Sequence, residues 1–120
     1  MIHDAMIMLS GMHTGRTTTV AVGRCELFYV ISHTEANKRP KQLFFRTTGT
    51  AGTCTFQVVL QTVAGVEIPL ISAAVNNSRV NTSFTIINDI QLPLNAVLLF
   101  DVVSVGTTKP TGLAFNFVIG

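Results

Sequence analysis

Apolar and polar residues alternate along most of the chain with a period of two. In residues 53–62, four apolar side chains at every second position from Cys54 to Leu60 share one face, while threonine and glutamine occupy most of the other face. The same period runs from Leu113 to Ile119. A period of two is that of a β-strand with one buried and one solvated face, so both segments are predicted to be strands.

Six further segments are rich in Val, Ile, Phe and Thr, the residues that fit a pleated sheet. They are predicted to be strands at residues 17–22, 26–32, 42–48, 66–71, 82–87 and 97–105. Turn residues separate several of them, and Ala64-Gly65 predicts a tight hairpin in which Gly65 takes a positive φ. Residues 72–75 are assigned one helical turn at most.

These elements predict an all-β fold. About eight short strands separated by turns are typical of an antiparallel β-sandwich, here jelly-roll-like. With 120 residues, the chain is long enough for one domain and too short for two. We therefore predict a single β-sandwich domain over residues 16–120, preceded by a distinct segment at residues 1–15.

The first fifteen residues contain all four methionines, Met1, Met6, Met8 and Met12. Methionine is flexible and fills irregular apolar gaps, including those at binding surfaces. Two interpretations of this segment stay open: an N-terminal arm that docks on a neighbouring subunit, or an edge strand over residues 2–9 that packs on its own sandwich. The first interpretation makes Met6, Met8 and Met12 candidate interface residues.

The chain has few charges for a globular protein. Only 12% of its residues are charged, against about 25% in typical domains. Thr, Ser, Asn and Gln must therefore cover much of the surface, which makes that surface neutral and easily desolvated. Such a surface suits a subunit that lies against other subunits, and the alternative is a monomer with a threonine-rich sheet face.

The charge pattern argues against a nucleic acid partner, and the lengths of the apolar runs argue against a membrane partner. The formal net charge is +2, and the basic cluster of Lys38, Arg39 and Lys41 is interrupted by Pro40 and lacks interleaved aromatic residues for base stacking. This cluster is predicted to be a solvated loop. No apolar run approaches the roughly 20 residues of a membrane span. The short apolar run at residues 5–9 lacks the basic segment that precedes a signal peptide core.

No arrangement of residues indicates catalysis, a cofactor or a metal. His3, His13 and His33 are scattered and form no metal-binding motif, and the sequence has no GxSxG elbow or P-loop lysine. Cys25 and Cys54 lack the spacing of a zinc or redox motif and are interpreted as small buried hydrophobic residues. We therefore predict that the protein is not an enzyme and holds no cofactor or metal.

Two carboxylates lie within predicted strands. Glu67 and Asp101 can share a face of the sheet, and Asp101 stands between two apolar residues. A partly buried carboxylate needs a partner, so a structural salt bridge is the preferred interpretation over a catalytic pair of carboxylates. Arg46 and Arg79 are the candidate partners.

The last part of the chain carries a recognisable pattern. Residues 101–106 have the sequence D-V-V-S-V-G and residues 108–112 have the sequence T-K-P-T-G, followed by an amphipathic strand. Earlier, a Gly- and Thr-rich turn at residues 48–53 precedes an alternating strand and a second Gly-containing turn at residues 63–66. This arrangement resembles small β-sandwich structural proteins of tailed-phage virions, of the head decoration or cement type. It departs from them at Thr50-Ala51, where a proline is usual.

The resemblance implies a structural role at the capsid surface of a virion and no catalytic residues. The expected function is a capsid decoration or cement subunit that binds the major capsid protein and stabilises the head. The expected partners are that protein and further copies of this chain, as a homotrimer. The alternative is a receptor- or glycan-binding module of a tail fibre or spike, formed by the turns at residues 34–41 and 106–112. The absence of tryptophan weakens this alternative, because sugar rings often stack on Trp or Tyr.

Overall fold

The computed structural model describes residues 7–12, 19–24, 29–49, 51–77, 80–81 and 83–120. Over these residues the protein consists of β-strands and connecting turns, arranged as two antiparallel sheets that share one core. The predicted all-β, antiparallel β-sandwich is confirmed. The described part of the chain contains no helix that is long and apolar enough to cross a membrane.

Ten strands are present among the described residues. They are β1 (Ile7–Met12), β2 (Gly23–Arg24), β3 (Tyr29–Val30), β4 (Pro40–Arg46), β5 (Thr53–Gln61), β6 (Glu67–Asn76), β7 (Val80–Asn81), β8 (Thr85–Ile86), β9 (Val97–Val105) and β10 (Ala114–Ile119). Strands β2, β3, β7 and β8 have two residues each, so the other six strands supply most of the pairing.

The strands form one sheet of four strands and one of six. The four-stranded sheet has the order β1-β10-β4-β7, and the six-stranded sheet has the order β2-β9-β5-β6-β8, with β3 also paired to β9. All of these pairs are antiparallel. The long strands β9, β5 and β6 are neighbours, so they form the continuous centre of the six-stranded sheet.

The hairpin between β5 and β6 has the predicted geometry. The Thr62 N–H donates to the Val66 carbonyl at 2.8 Å, and the Gly65 N–H donates to the Thr62 carbonyl at 2.8 Å. Gly65 has a φ of +88°, a conformation that residues with a Cβ rarely adopt. Both the hairpin and the positive φ are therefore confirmed.

Strand β6 is longer than predicted, and the segment after it contains less strand. β6 continues to Asn76, so the helical turn considered for residues 72–75 is wrong. The reason is tertiary: β5 pairs with this segment as far as Thr53 and Asn76, which satisfies its backbone hydrogen-bonding groups within the sheet. The predicted strand at residues 82–87 is reduced to β8, which pairs with β6 only at Ile71 and Ser72.

Within their described residues, the predicted strands at residues 17–22 and 26–32 are only partly formed. Of the described residues, Thr19 forms only an isolated bridge with Thr111, and the sheet pairing is confined to the two-residue strands β2 and β3. Val20 donates its N–H to the carbonyl of Pro110 at 2.8 Å, so the loop between β9 and β10 holds this segment. Residues 17–18 and 25–28 lie outside the described part.

The loop between β9 and β10 also contacts the turn before β5. The Thr48 N–H donates to the Thr111 carbonyl at 3.0 Å, and the Thr53 N–H donates to the Thr108 carbonyl at 3.0 Å. The Gly106 N–H donates in turn to the Thr53 carbonyl at 2.8 Å. The two segments on which the sequence resemblance depends are therefore joined by backbone hydrogen bonds at one end of the sandwich.

Four phenylalanine rings link the two sheets in the core. Phe45 and Phe115 come from the four-stranded sheet, Phe56 and Phe100 come from the six-stranded sheet, and all four are at most 4% exposed. The ring centroids lie 5.3 Å apart for Phe45 and Phe56, 5.2 Å for Phe56 and Phe100, and 4.0 Å for Phe100 and Phe115. Aromatic side chains bury a large apolar area, so this cluster is a main source of cohesion between the sheets.

Cys54 belongs to the same core and is a free thiol. Burial raises the pKa of this thiol to about 11, which keeps it protonated at neutral pH. The interpretation of Cys54 as a small buried hydrophobic residue is confirmed, whereas Cys25 lies outside the described residues.

Candidate interaction surfaces

The predicted interface methionines lie at the start of the four-stranded sheet. Met8 and Met12 belong to β1, where their backbones are opposite Val118 and Ala114 of β10. Met6 lies outside the described residues. All six residues of β1 pair with β10, and within the described chain no strand pairs with its other side. β1 is therefore an edge strand of its own sheet, and contact of these methionines with another subunit stays a prediction.

The outer face of the six-stranded sheet carries mostly uncharged side chains. Alternate residues of β5 from Cys54 to Leu60 enter the core, so the positions between them face outward. The strand register aligns most of these outward positions with uncharged residues of β6 and β9, and it places Asp101 opposite Gln57 and Glu67 opposite Gln61. We refer to this surface as the neutral sheet face, and it is formed by Thr53, Thr55, Gln57, Gln61, Ser72, Ala74, Asn76, Val103 and Ser104.

The charged groups that the structure describes on this face are joined in one network centred on Arg24. Arg24 donates from Nε to Asp101 Oδ1 at 2.6 Å and from Nη2 to Asp101 Oδ2 at 2.8 Å. It also donates from Nη1 to Glu67 Oε2 at 2.7 Å and from Nη2 to Glu67 Oε1 at 2.8 Å. The guanidinium thus forms a bidentate pair with each carboxylate, the geometry in which arginine binds carboxylates most strongly.

Hydrogen bonding within the network fixes its charge state. The hydrogen bonds to Asp101 and Glu67 raise the pKa of Arg24, and the hydrogen bond from Arg24 lowers the pKa of Glu67. Arg24 and Glu67 are therefore both charged at neutral pH. The register places Val59 and Leu99 between the two carboxylates, and both are nearly fully buried, so the Arg24 bridge spans a patch that is shielded from water.

The structure confirms that Glu67 and Asp101 share a face, but it gives them a different partner from those predicted. Arg46 is an exposed residue at the end of β4 in the other sheet, and Arg79 lies outside the described residues. Arg24 was missed because it stands between two predicted strands, and the pairing of β2 with β9 that places it opposite Asp101 involves only two residues.

A second candidate surface is a groove with a basic lining, which we refer to as the basic groove. It has a volume of about 610 Å³ and is lined by Ala36, Asn37, Lys38, Arg39, Lys41, Gln91 and Gly120. The basic cluster predicted to be a solvated loop therefore lies in a concavity. Arg39 donates to the Asp89 carbonyl at 2.8 Å and lies 3.5 Å from its carboxylate, whereas Lys38 and Lys41 form no ion pair with any described residue.

Backbone hydrogen bonds hold the basic groove in one shape. The Asn37 N–H donates to the Leu92 carbonyl at 2.8 Å, and the Leu92 N–H donates to the Lys38 carbonyl at 2.8 Å. Arg39 and Gly120 each donate an N–H to the other's carbonyl, at 2.9 and 3.0 Å. The loop that carries the cations is thus tied both to the segment before β9 and to the residue after β10.

A buried carboxylate organises the turn that leads into the basic groove. Glu35 is 3% exposed, and its Oε1 accepts from the Ser32 N–H at 3.0 Å and from the Ser32 hydroxyl at 2.7 Å. Burial opposes the ionisation of Glu35, but the hydrogen bonds from Ser32 and from the Tyr29 hydroxyl outweigh it, so the pKa of Glu35 is lowered. The spacing S-x-x-E is that of a capping box, a pattern visible in the sequence that was not used in the prediction.

Glu35 is expected to make stability depend on pH in the acidic range. Because its pKa is lower in the folded protein than in the unfolded chain, its contribution is complete above about pH 5 and is lost as pH falls through the folded-state pKa. Glu35→Gln should lower the free energy of unfolding by about 1–2 kcal/mol at neutral pH, and this difference should shrink as the pH falls below about 5. Urea denaturation at a series of pH values measures it.

Tyr29→Phe is the graded control for this prediction, because it removes one hydrogen bond to the Glu35 carboxylate and keeps the charge. Tyr29→Phe should reduce the pH dependence of the unfolding free energy in the same direction as Glu35→Gln, but by a smaller amount. Parallel pH profiles for the wild-type protein and Glu35→Gln would contradict the assigned role.

The described histidines and carboxylates do not form a metal-binding cluster. His33 is exposed in the turn that follows Ser32, and His3 and His13 lie outside the described part. In the part of the chain that the structure covers, no group of three or more His, Cys, Asp or Glu side chains is placed to hold a metal ion. The carboxylates that come together do so around Arg24, where they serve as ion-pair partners.

No protein-family model, curated protein or solved structure matches this chain. The class that the structure defines is a small all-β protein with antiparallel sheets packed around a buried aromatic cluster.

Proposed function

We propose that this chain is a structural subunit that packs its neutral sheet face against neighbouring subunits, and specifically that it decorates the capsid of a tailed-phage virion. The observation that supports assembly is the neutral sheet face. Its polar residues are uncharged, and the three charged groups beside them are paired with one another. The capsid surface as the location follows from the sequence resemblance over residues 48–120.

The cost of desolvation favours this face as a contact. Removing an unpaired charge from water costs several kcal/mol, whereas hydroxyl and amide groups lose little when they form hydrogen bonds across the contact. The centres of protein interfaces are accordingly depleted of charged residues. The face also has apolar area, because Val103 is 50% exposed and the nearby Val22 is 59% exposed. It thus combines apolar contact with hydrogen-bonding groups.

The partners in this proposal are the major capsid protein and further copies of this chain. Closed cyclic symmetry is the usual arrangement of identical subunits, and the resemblance favours a trimer. A subunit that bridges neighbouring capsid proteins stabilises the head, since the head then opens only when these additional contacts break.

The experiment introduces a charge into the neutral sheet face. Thr55 is half-buried on β5 and is flanked by Ala74 and Ser104, so Thr55→Lys should weaken binding to capsids that lack this protein by at least about tenfold, because a lysine there must be desolvated. Thr107→Lys is the matched control, since Thr107 is exposed in the loop after β9. Co-sedimentation with such capsids and the capsid melting temperature are the measurements.

The wild-type protein and Thr107→Lys should bind and raise the melting temperature of the capsid, and Thr55→Lys should do neither. If the wild-type protein fails to bind these capsids, the capsid assignment is wrong. If Thr55→Lys binds as well as Thr107→Lys, the neutral sheet face is not the contact.

A further inference from the structure

The positive charge of the described chain is concentrated in the basic groove. Three of its six described Lys and Arg residues, namely Lys38, Arg39 and Lys41, line this one concavity. The described acidic residues do not neutralise all of it. Glu67 and Asp101 bind Arg24 elsewhere, Asp89 pairs with Arg39, and the buried Glu35 carboxylate accepts hydrogen bonds from Ser32. The two lysines therefore present their charge to solvent in a protein that otherwise has few charges.

The shape of the groove is fixed before any ligand arrives. Glu35 ties the turn at its start to Ser32, and paired backbone hydrogen bonds join Arg39 to Gly120 and the Asn37–Lys38 segment to Leu92. A preorganised site binds more tightly than a mobile loop with the same charges, because less conformational entropy is lost on binding. The lysines of the groove are therefore carried by a backbone that hydrogen bonds hold in place.

The lining identifies the chemistry of the ligand. Lys38 and Lys41 supply point charges, and Asn37 and Gln91 supply amide groups that donate and accept hydrogen bonds. None of the described residues that line the groove is aromatic, so they offer bases no surface on which to stack. Arg39 is held by Asp89, so Lys38 and Lys41 are the charges that remain for a ligand. Carboxylates from a peptide fit this lining better than nucleic acid does.

We propose that the basic groove binds an acidic segment of a partner protein, whose Asp or Glu carboxylates lie between Lys38 and Lys41 and whose backbone contacts Asn37 and Gln91. The volume of about 610 Å³ accommodates a few side chains, which suits a short segment rather than a folded domain. This site is separate from the neutral sheet face, so it does not depend on the assembly proposed above.

The test uses the full chain and a fluorescein-labelled hexaglutamate peptide, with binding followed by fluorescence anisotropy at low ionic strength. The double variant Lys38→Gln with Lys41→Gln should bind about tenfold more weakly than the wild-type protein. The matched control is Arg46→Gln with Lys109→Gln, which removes the same net charge from exposed positions outside the groove. It should bind within about twofold of the wild-type protein.

A second measurement requires no variant. In the wild-type protein, the peptide should shift the backbone amide resonances of Asn37, Gln91 and Gly120, and it should leave those of the neutral sheet face unchanged. Thr55→Lys should bind the peptide as the wild-type protein does, so that a failure of the assembly proposal is distinguishable from a failure of this one.

Three outcomes would overturn the inference. The first is equal weakening by the two double variants, which would show a response to net charge alone. The second is a set of resonance shifts outside the groove. The third is tighter binding of an oligothymidylate of similar charge than of the peptide. The last result would assign the groove to nucleic acid.

Discussion

Replacing Phe100 with alanine is expected to lower the free energy of unfolding by about 3–5 kcal/mol. Phe100 is fully buried on the six-stranded sheet and contacts both Phe56 and Phe115, so its loss leaves a cavity between the two sheets. Small domains are stable by about 5–15 kcal/mol, and this one substitution therefore removes a large part of the total. Urea denaturation followed by far-UV circular dichroism measures the change.

Phe100→Leu is the control, because it keeps most of the apolar volume and should cost about 1–2 kcal/mol. The denaturant dependence of the unfolding free energy should be unchanged in both variants, which separates a loss of stability from a change in the unfolded state. A cost below about 1 kcal/mol for Phe100→Ala would mean that the core closes around the missing ring and that the phenylalanine cluster is not what joins the sheets.

Replacing Gly52 with alanine is expected to cost about 3 kcal/mol or more. Gly52 has a φ of +110°, and a Cβ at this position would lie 2.6 Å from the Lys109 carbonyl carbon and 2.9 Å from its oxygen. These are backbone atoms, so a side-chain rotation cannot relieve the clash. The loop between β9 and β10 must move, which breaks its hydrogen bond from the Thr53 N–H to the Thr108 carbonyl. Thermal unfolding measures the effect.

Gly65→Ala separates the two causes. Gly65 also has a positive φ, of +88°, but a Cβ there has no heavy atom within 4 Å. This substitution should cost only about 1 kcal/mol, from the backbone conformation alone. The excess cost at Gly52 then measures the close approach of the loop. Equal costs at the two positions would show that the contact between Gly52 and Lys109 is not tight in solution.

The sequence predicts β5 and β9 well because each shows a strand pattern along its whole length. The predicted strand at residues 97–105 has the bounds of β9, and the alternation in residues 53–62 corresponds to β5. β5 alternates apolar and polar residues, whereas β9 is rich in Val, Leu and Phe, and both patterns indicate a strand.

The failures occur where pairing with a neighbour decides the structure. The second half of β6 contains Ser72, Ala73 and Ala74, which have little preference for strands, and it is extended only because β5 lies beside it. Strands β2 and β8 have two residues each, too few for a period to be visible. Single-sequence patterns carry no information on which partner is available.

The candidate surfaces show the same division. The low charge of the chain predicts that a neutral surface exists, but only the strand register places it on the six-stranded sheet. The basic cluster at residues 38–41 is evident in the sequence, yet its concave shape depends on Gln91 and Gly120, which are distant along the chain. Likewise, the partner of Asp101 is fixed by a short strand pairing that brings in Arg24.

The burial of Cys54 has a consequence for measuring how the sandwich moves. Only the thiolate reacts with alkylating reagents, and burial with a pKa of about 11 makes this thiol unreactive in the closed state. Alkylation at Cys54 therefore reports on the opening of β5 from its neighbours, and in the limit of fast reclosing its rate gives the free energy of that opening. Cys54 thus allows local opening at the start of β5 to be measured without introducing a label.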